Sequence, residues 1–211
     1  MGKAGKERKL TDAEQRRLEQ FEATCSELAA QGYRRVDLSI SIFWANVVAV
    51  VAFFLLFVTL VPLYHLVYPE GDFSVAGVWF FVYLVALIAL IVVHELIHGL
   101  TWSRFAPDGF ADIEFGVMRD SLTPYCTCKT PLRKEAYVTG TLAPLVVLGI
   151  IPIAVAFCIG SVALLFVGIF MVDGAVGDVM IVVKLLFHKS QTDDVLIFDH
   201  PTEAGCVVFE R

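Results

Sequence analysis

Three stretches of the chain, residues 38–69, 73–94 and 136–172, contain no Asp, Glu, Lys or Arg. A helix needs about 20 apolar residues to cross the hydrocarbon core of a bilayer. The first stretch predicts one span, from about Ile40 to Tyr68. The second predicts another, whose helical pattern continues through His94-Glu95-Leu96-Ile97-His98 to about Arg104. The third has 37 residues, too many for one crossing and slightly too few for two. Cys158-Ile159-Gly160-Ser161 offers a turn in its middle, and two crossings then fit only if the second runs on through Asp173 and Asp178 to about Phe187. Length alone thus carries two aspartates to membrane depth.

Composition agrees with this reading. The chain is 57% hydrophobic, has a mean hydropathy of +0.73 and is only 18% charged, against roughly 25% charged in an average soluble domain. An ordinary soluble core could not hide that much apolar surface, and 17 Phe exclude a disordered chain. The net charge of −6, with no basic block in the interior, argues against nucleic acid as a partner. All 16 Lys and Arg lie before the first span, between the second and third, or at and after the end of the fourth. That asymmetry predicts a multi-pass protein with both termini cytoplasmic. The charged start is too long for a cleavable signal.

The expected fold is an all-α membrane bundle of four transmembrane helices. A small cytoplasmic-side β-hairpin and an N-terminal amphipathic helix complete it. Residues 1–37 form the cytoplasmic N-terminal piece, 38–188 the four-span core and 189–211 a cytoplasmic β-type tail. In the first piece Thr11 and Glu14 make a capping box, and Leu18, Phe21, Cys25 and Leu28 form one stripe ahead of a stop at Gly32. That stripe suits either a membrane or partner surface, or the chain's own cytoplasmic face. Residues 111–129 alternate as a hairpin turning near Arg119-Asp120-Ser121. The tail reads as two strands around Asp199-His200-Pro201, with His200 as a turn residue. Five cysteines at irregular spacing, Cys25, Cys126, Cys128, Cys158 and Cys206, read as reduced thiols.

The chemistry sits in His94-Glu95-Leu96-Ile97-His98. On a helix, positions i and i+4 share a face, so His94 and His98 can bind one Zn2+ while Glu95 reaches a zinc-bound water as general base. Two imidazoles and a carboxylate inside a spanning helix are costly without such a purpose. A catalytic zinc needs a third ligand. At 1.5 Å rise per residue, Asp178 is roughly level with the histidines and Asp173 about 7 Å deeper. Asp178 is therefore the expected ligand, with Asp173 as the alternative or as a residue that orients a histidine. Gly174 and Gly177 are expected to let this helix approach the second span closely.

A membrane helix with His94-Glu95-x-x-His98 is followed by a hairpin, a helix with Ala143-Pro144 and a helix with Asp. This order resembles the core of site-2-type intramembrane metalloproteases. More closely, the chain resembles a membrane family of zincin peptidases. The resemblance is carried by His94-Glu95-Leu96-Ile97-His98-Gly99, Tyr125-Cys126-x-Cys128-Lys129-x-Pro131-Leu132, Leu142-Ala143-Pro144, Gly177-Asp178 and Asp199-His200-Pro201. It implies zinc and peptide-bond hydrolysis in the membrane, on a membrane protein or peptide substrate. Val172-Asp173-Gly174 resembles the Leu-Asp-Gly in which the site-2 group's third ligand sits, although the Asn and Pro usual before it are absent. The alternative function is a non-catalytic, zinc-stapled membrane scaffold or regulatory protein that binds partners through its termini.

Overall fold

The computed structural model describes residues 11–71, 77–118, 123–190 and 192–211. The turn at Arg119-Asp120-Ser121 lies outside the described residues. Helix α1 (Asp12–Ala30) starts on the capping box, with Thr11 accepting from the Glu14 N–H and Glu14 reaching back to the Thr11 N–H at 2.8 Å. Gly32 follows it at φ 91°, a left-handed turn that glycine adopts without strain. Strand β1 (Arg34–Ser39) leads into helix α2 (Ile42–Val67), which Ser41 caps. Helix α3 (Val78–Trp102) carries the two histidines. Strands β2 (Ile113–Met118) and β3 (Thr123–Cys128) form the antiparallel hairpin.

The short strand β4 (Leu132–Arg133) runs into helix α4 (Lys134–Pro144), a π-helical segment (Leu145–Ile150) and helix α5 (Ile151–Ile159). The chain turns at Gly160, φ 69°, into helix α6 (Val162–Gly174) and helix α7 (Val176–Phe187), which are bent by 46° at Ala175. Strands β5 (Val195–Asp199) and β6 (Gly205–Glu210) close the chain.

Three helical segments, Ile42–Val67, Phe80–Trp102 and Lys134–Ile159, are long and apolar enough to cross a membrane, and α6 with α7 makes a fourth if the bent pair is one span. Their flanks carry exposed Phe54, Phe81, Val85 and Ile88.

The expected all-α description falls short, because a four-stranded sheet in the order β1-β6-β5-β4 caps one end of the bundle. The tail is not a free-standing hairpin. Its strand β6 pairs with β1, Arg34 opposite Glu210, and β5 pairs with β4. β1 escapes a sequence reading because its alternation rests on only two apolar residues, Val36 and Leu38, beside a long apolar run, and its partner lies far along the chain. The sheet gathers the start of α2, the start of α4 and the end of α7 at one end of the molecule.

On its outer face the sheet takes up the stripe of α1. Phe21, Cys25 and Leu28 are buried against Phe198, Val207 and Phe209, so α1 packs on its own protein. On its inner face Leu38, Ile197, Cys206 and Val208 meet Trp102, Tyr137 and Leu185. Buried Glu210, at the end of the inner strand β6, ties the sheet to its surroundings. It accepts from the exposed Arg34 guanidinium, from Ser190 Oγ at 2.9 Å and from His188 Nε2 at 3.2 Å. Chiefly through the Arg34 and Ser190 bonds, its pKa falls to about 2.

Gly174 and Gly177 do not serve close packing, since a Cβ at either would meet nothing within 4 Å. The close approaches are elsewhere. A Cβ on Gly168 would stand 2.9 Å from the Gly149 carbonyl oxygen, where α6 crosses the π-helical segment.

Candidate metal centre

His94 and His98 lie one turn apart on α3, and both are buried. Asp178, in the first turn of α7, comes to meet them. His94 Nε2 lies 3.1 Å from Asp178 Oδ2 and 3.1 Å from His98 Nε2, and His98 Nε2 lies 3.5 Å from the same oxygen. The bend at Ala175 separates the two aspartates. Asp173 closes α6, bonds neither histidine, and leaves its Oδ1 buried with no hydrogen-bond partner.

The donor set decides whether a metal fits. His98 Nδ1 is 2.9 Å from the Gly140 carbonyl oxygen. A carbonyl can only accept, so Nδ1 carries the proton and the neutral ring presents a lone pair at Nε2. That lone pair faces the acceptor-only Asp178 carboxylate and the second imidazole. Two imidazole nitrogens and a carboxylate oxygen converging in this way make a donor set that suits a cation such as Zn2+. Zinc bonds of about 2.0–2.1 Å in a tetrahedron hold their ligand atoms roughly 3.3 Å apart. The three separations here, 3.1, 3.1 and 3.5 Å, bracket that spacing. His94, His98 and Asp178 form the one three-residue group of ligating side chains among the described residues. The Asp178 side chain is 20% exposed against 5% for His98.

Residues that a motif search passes over hold the ligands in place. The Trp102 indole stacks on His98, centroids 5.1 Å apart at 18°, and donates from Nε1 to the Tyr137 carbonyl oxygen at 3.1 Å. It fits only because residue 140 is glycine, where a Cβ would stand 2.1 Å from the indole. Tyr137 donates its hydroxyl to Asp199 Oδ1 at 2.7 Å, while Asp199 Oδ2 accepts from Thr127 Oγ1 at 3.0 Å and the Cys128 N–H at 3.2 Å. Burial raises the Asp199 pKa despite these three donors. Asp199 thereby clasps the tail, the hairpin and α4 around the metal centre. The sequence marks Asp199 only within the Asp199-His200-Pro201 motif and as an acidic residue closing an apolar strand, with no sign of what it bonds.

The hairpin lies against α3 at Gly99, where a Cβ would stand 2.5 Å from the Phe115 ring. Glu95 faces the hairpin and lines an apolar cleft of about 320 Å³ with Val92, Leu96, Phe115, Val117 and Tyr125. The Arg17 guanidinium of α1 covers the Tyr125 ring at 4.3 Å. Cys126 and Cys128 take no part in the metal group. They are free thiols whose pKa values burial pushes up. His200 is a turn residue, its Nδ1 accepting from the Glu203 N–H at 2.9 Å and its Nε2 lying 3.3 Å from Asp37.

Residues 87–192 match a family described as "Putative zincin peptidase". The chain belongs to this zincin peptidase family. The matched region takes in His94, Glu95 and His98, the hairpin and Asp178, while β5 with Asp199 lies just beyond it. The family description points to a metallopeptidase and, by its zincin name, to zinc. No curated protein and no solved structure matches the chain.

Proposed function

We propose that this zincin-family protein is an intramembrane zinc metallopeptidase. His94, His98 and Asp178 hold Zn2+, and Glu95 is the general base. The convergence of two imidazole nitrogens and a carboxylate oxygen at 3.1–3.5 Å carries the reading. Bound there, zinc would make water nucleophilic near neutral pH and polarise a peptide carbonyl. Glu95 takes the proton of the attacking water and passes it to the departing amine. Asp173, at the far side of the bend, is not a ligand in this reading. A scaffold would favour a closed four-ligand site, whereas three ligating side chains meet among the described residues.

The substrate is a membrane-embedded or membrane-proximal polypeptide. A helical substrate hides its carbonyls in i→i−4 bonds and must unwind before attack. The hairpin supports such a segment. The Cys128 N–H points to Asp199, away from β2, so Ile113, Phe115 and Val117 turn their backbone groups to the outer edge of β2. Among the described residues that edge pairs with no other strand, and an extended segment can add there. The apolar cleft beside Glu95 suits an aliphatic or aromatic side chain next to the cleaved bond. In this reading the Lys and Arg asymmetry favours a cytoplasmic sheet end, and the site takes its water from that side.

The test is metal content and cleavage of a membrane-peptide library by the full chain in detergent. Glu95→Gln keeps zinc and loses cleavage, whereas His94→Ala loses both. A Glu95→Gln variant that still cleaves removes the general-base assignment, and a wild-type protein that retains no zinc removes the whole reading.

A further inference from the structure

Pro144 closes α4 and has no N–H. In a regular helix residue 144 would donate to the carbonyl of residue 140, so the Gly140 oxygen has no α-helical donor. The next residue does not replace it, because the Leu145 N–H bonds to the Leu142 carbonyl. A proline ring also crowds the carbonyl four residues back and tilts it out of the helix. The tilted Gly140 oxygen accepts the hydrogen bond of His98 Nδ1–H at 2.9 Å. That bond fixes the tautomer in which His98 Nε2 offers its lone pair to His94 and Asp178. Gly140 contributes a second condition. Having no Cβ, it lets the Trp102 indole lie flat on the His98 ring, which sets the ring plane.

We infer that Pro144 is a positioning residue of the metal centre. By freeing the Gly140 carbonyl it holds His98 in the metal-binding tautomer and orientation, from a different helix and without touching the metal. The Gly140–Pro144 spacing of four is therefore part of the site. The inference rests on the metallopeptidase reading only in taking His98 as a ligand.

The test restores the missing donor. Pro144→Ala adds an N–H that can bond the Gly140 carbonyl and draw it back to the helix axis. Pro62→Ala makes the same change within α2, where the residue four back is Val58, outside the metal centre. Zinc affinity of the full chain in detergent is measured by competition with a chromogenic chelator. The His98 tautomer is read in the zinc-free protein from its imidazole nitrogen shifts. Pro144→Ala should weaken zinc binding about tenfold, the scale on which groups that orient a ligand act. It should also turn a single Nδ1–H tautomer into a mixture, and Pro62→Ala should change neither. Pro144→Gly restores the same N–H in a smaller residue and replaces the alanine variant if that one does not fold. Zinc affinity within twofold of wild type, an unchanged His98 tautomer, or an equal loss in Pro62→Ala would each overturn the inference. A wild-type protein that binds no zinc would instead overturn the metallopeptidase reading.

Discussion

Removing the Asp199 carboxylate should loosen three parts of the molecule at once. Asp199→Ala deletes the acceptor for the Tyr137 hydroxyl, the Thr127 hydroxyl and the Cys128 N–H. Tyr137 and Cys128 are each 2% exposed, so their donors cannot turn to water. A buried donor left without a partner costs about 1–3 kcal/mol. Thr127 is only partly buried and regains a water. Two stranded donors, less the relief of no longer burying a carboxylate, give a loss of about 2–5 kcal/mol. For a chain of this size each kcal/mol lowers Tm by about 2–4 °C, so the variant should melt roughly 5–15 °C lower. Asp199→Asn keeps one oxygen, and its amide can donate to the Tyr137 hydroxyl oxygen, so it should lose less than half as much. The assay is thermal unfolding of the full chain in detergent, followed by circular dichroism. An alanine variant that melts within about 2 °C of wild type, or an asparagine variant as damaged as alanine, would refute the clasp.

Two further stability predictions follow from the same geometry. Glu210 titrates near 2 in the fold against about 4.5 unfolded. Its contribution is therefore present above pH 4.5 and lost as pH falls towards 2. Melting temperature should drop across that window in wild type and much less in Glu210→Gln. Gly168→Ala places a Cβ 2.9 Å from a backbone oxygen and should cost about 1–3 kcal/mol. Gly177→Ala meets nothing within 4 Å and should be neutral or slightly stabilising. Melting the pair side by side checks both, and equal losses would contradict the packing described for α6.

Much of the architecture is legible along the chain because it depends on local spacing. The capping box, the Gly32 stop, the apolar runs and the Gly160 turn each involve residues within a few positions of one another. His94 and His98 share a face for the same reason. The aspartates differ. Five residues apart on one straight helix, they can be ranked only by depth. The 46° bend at Ala175 is what sends Asp178 to the histidines and leaves Asp173 away from them. The expected Gly174–Gly177 contact fails because small residues permit close packing but do not choose the neighbour. Gly99 and Gly140, met by Phe115 and Trp102, were chosen instead.

The residues of the chain by themselves determine apolar segments of spanning length, a pair of imidazoles one turn apart with a carboxylate beside them, and a basic bias towards one end. These follow from helix rise and periodicity, which any stretch of chain obeys regardless of its surroundings. Only the tertiary structure decides which aspartate approaches, which carbonyl accepts the hydrogen bond of His98, and that β1 pairs with β6 across nearly the whole chain. Those outcomes depend on how helices cross and strands meet, and that is settled by the packing of surfaces distant in sequence.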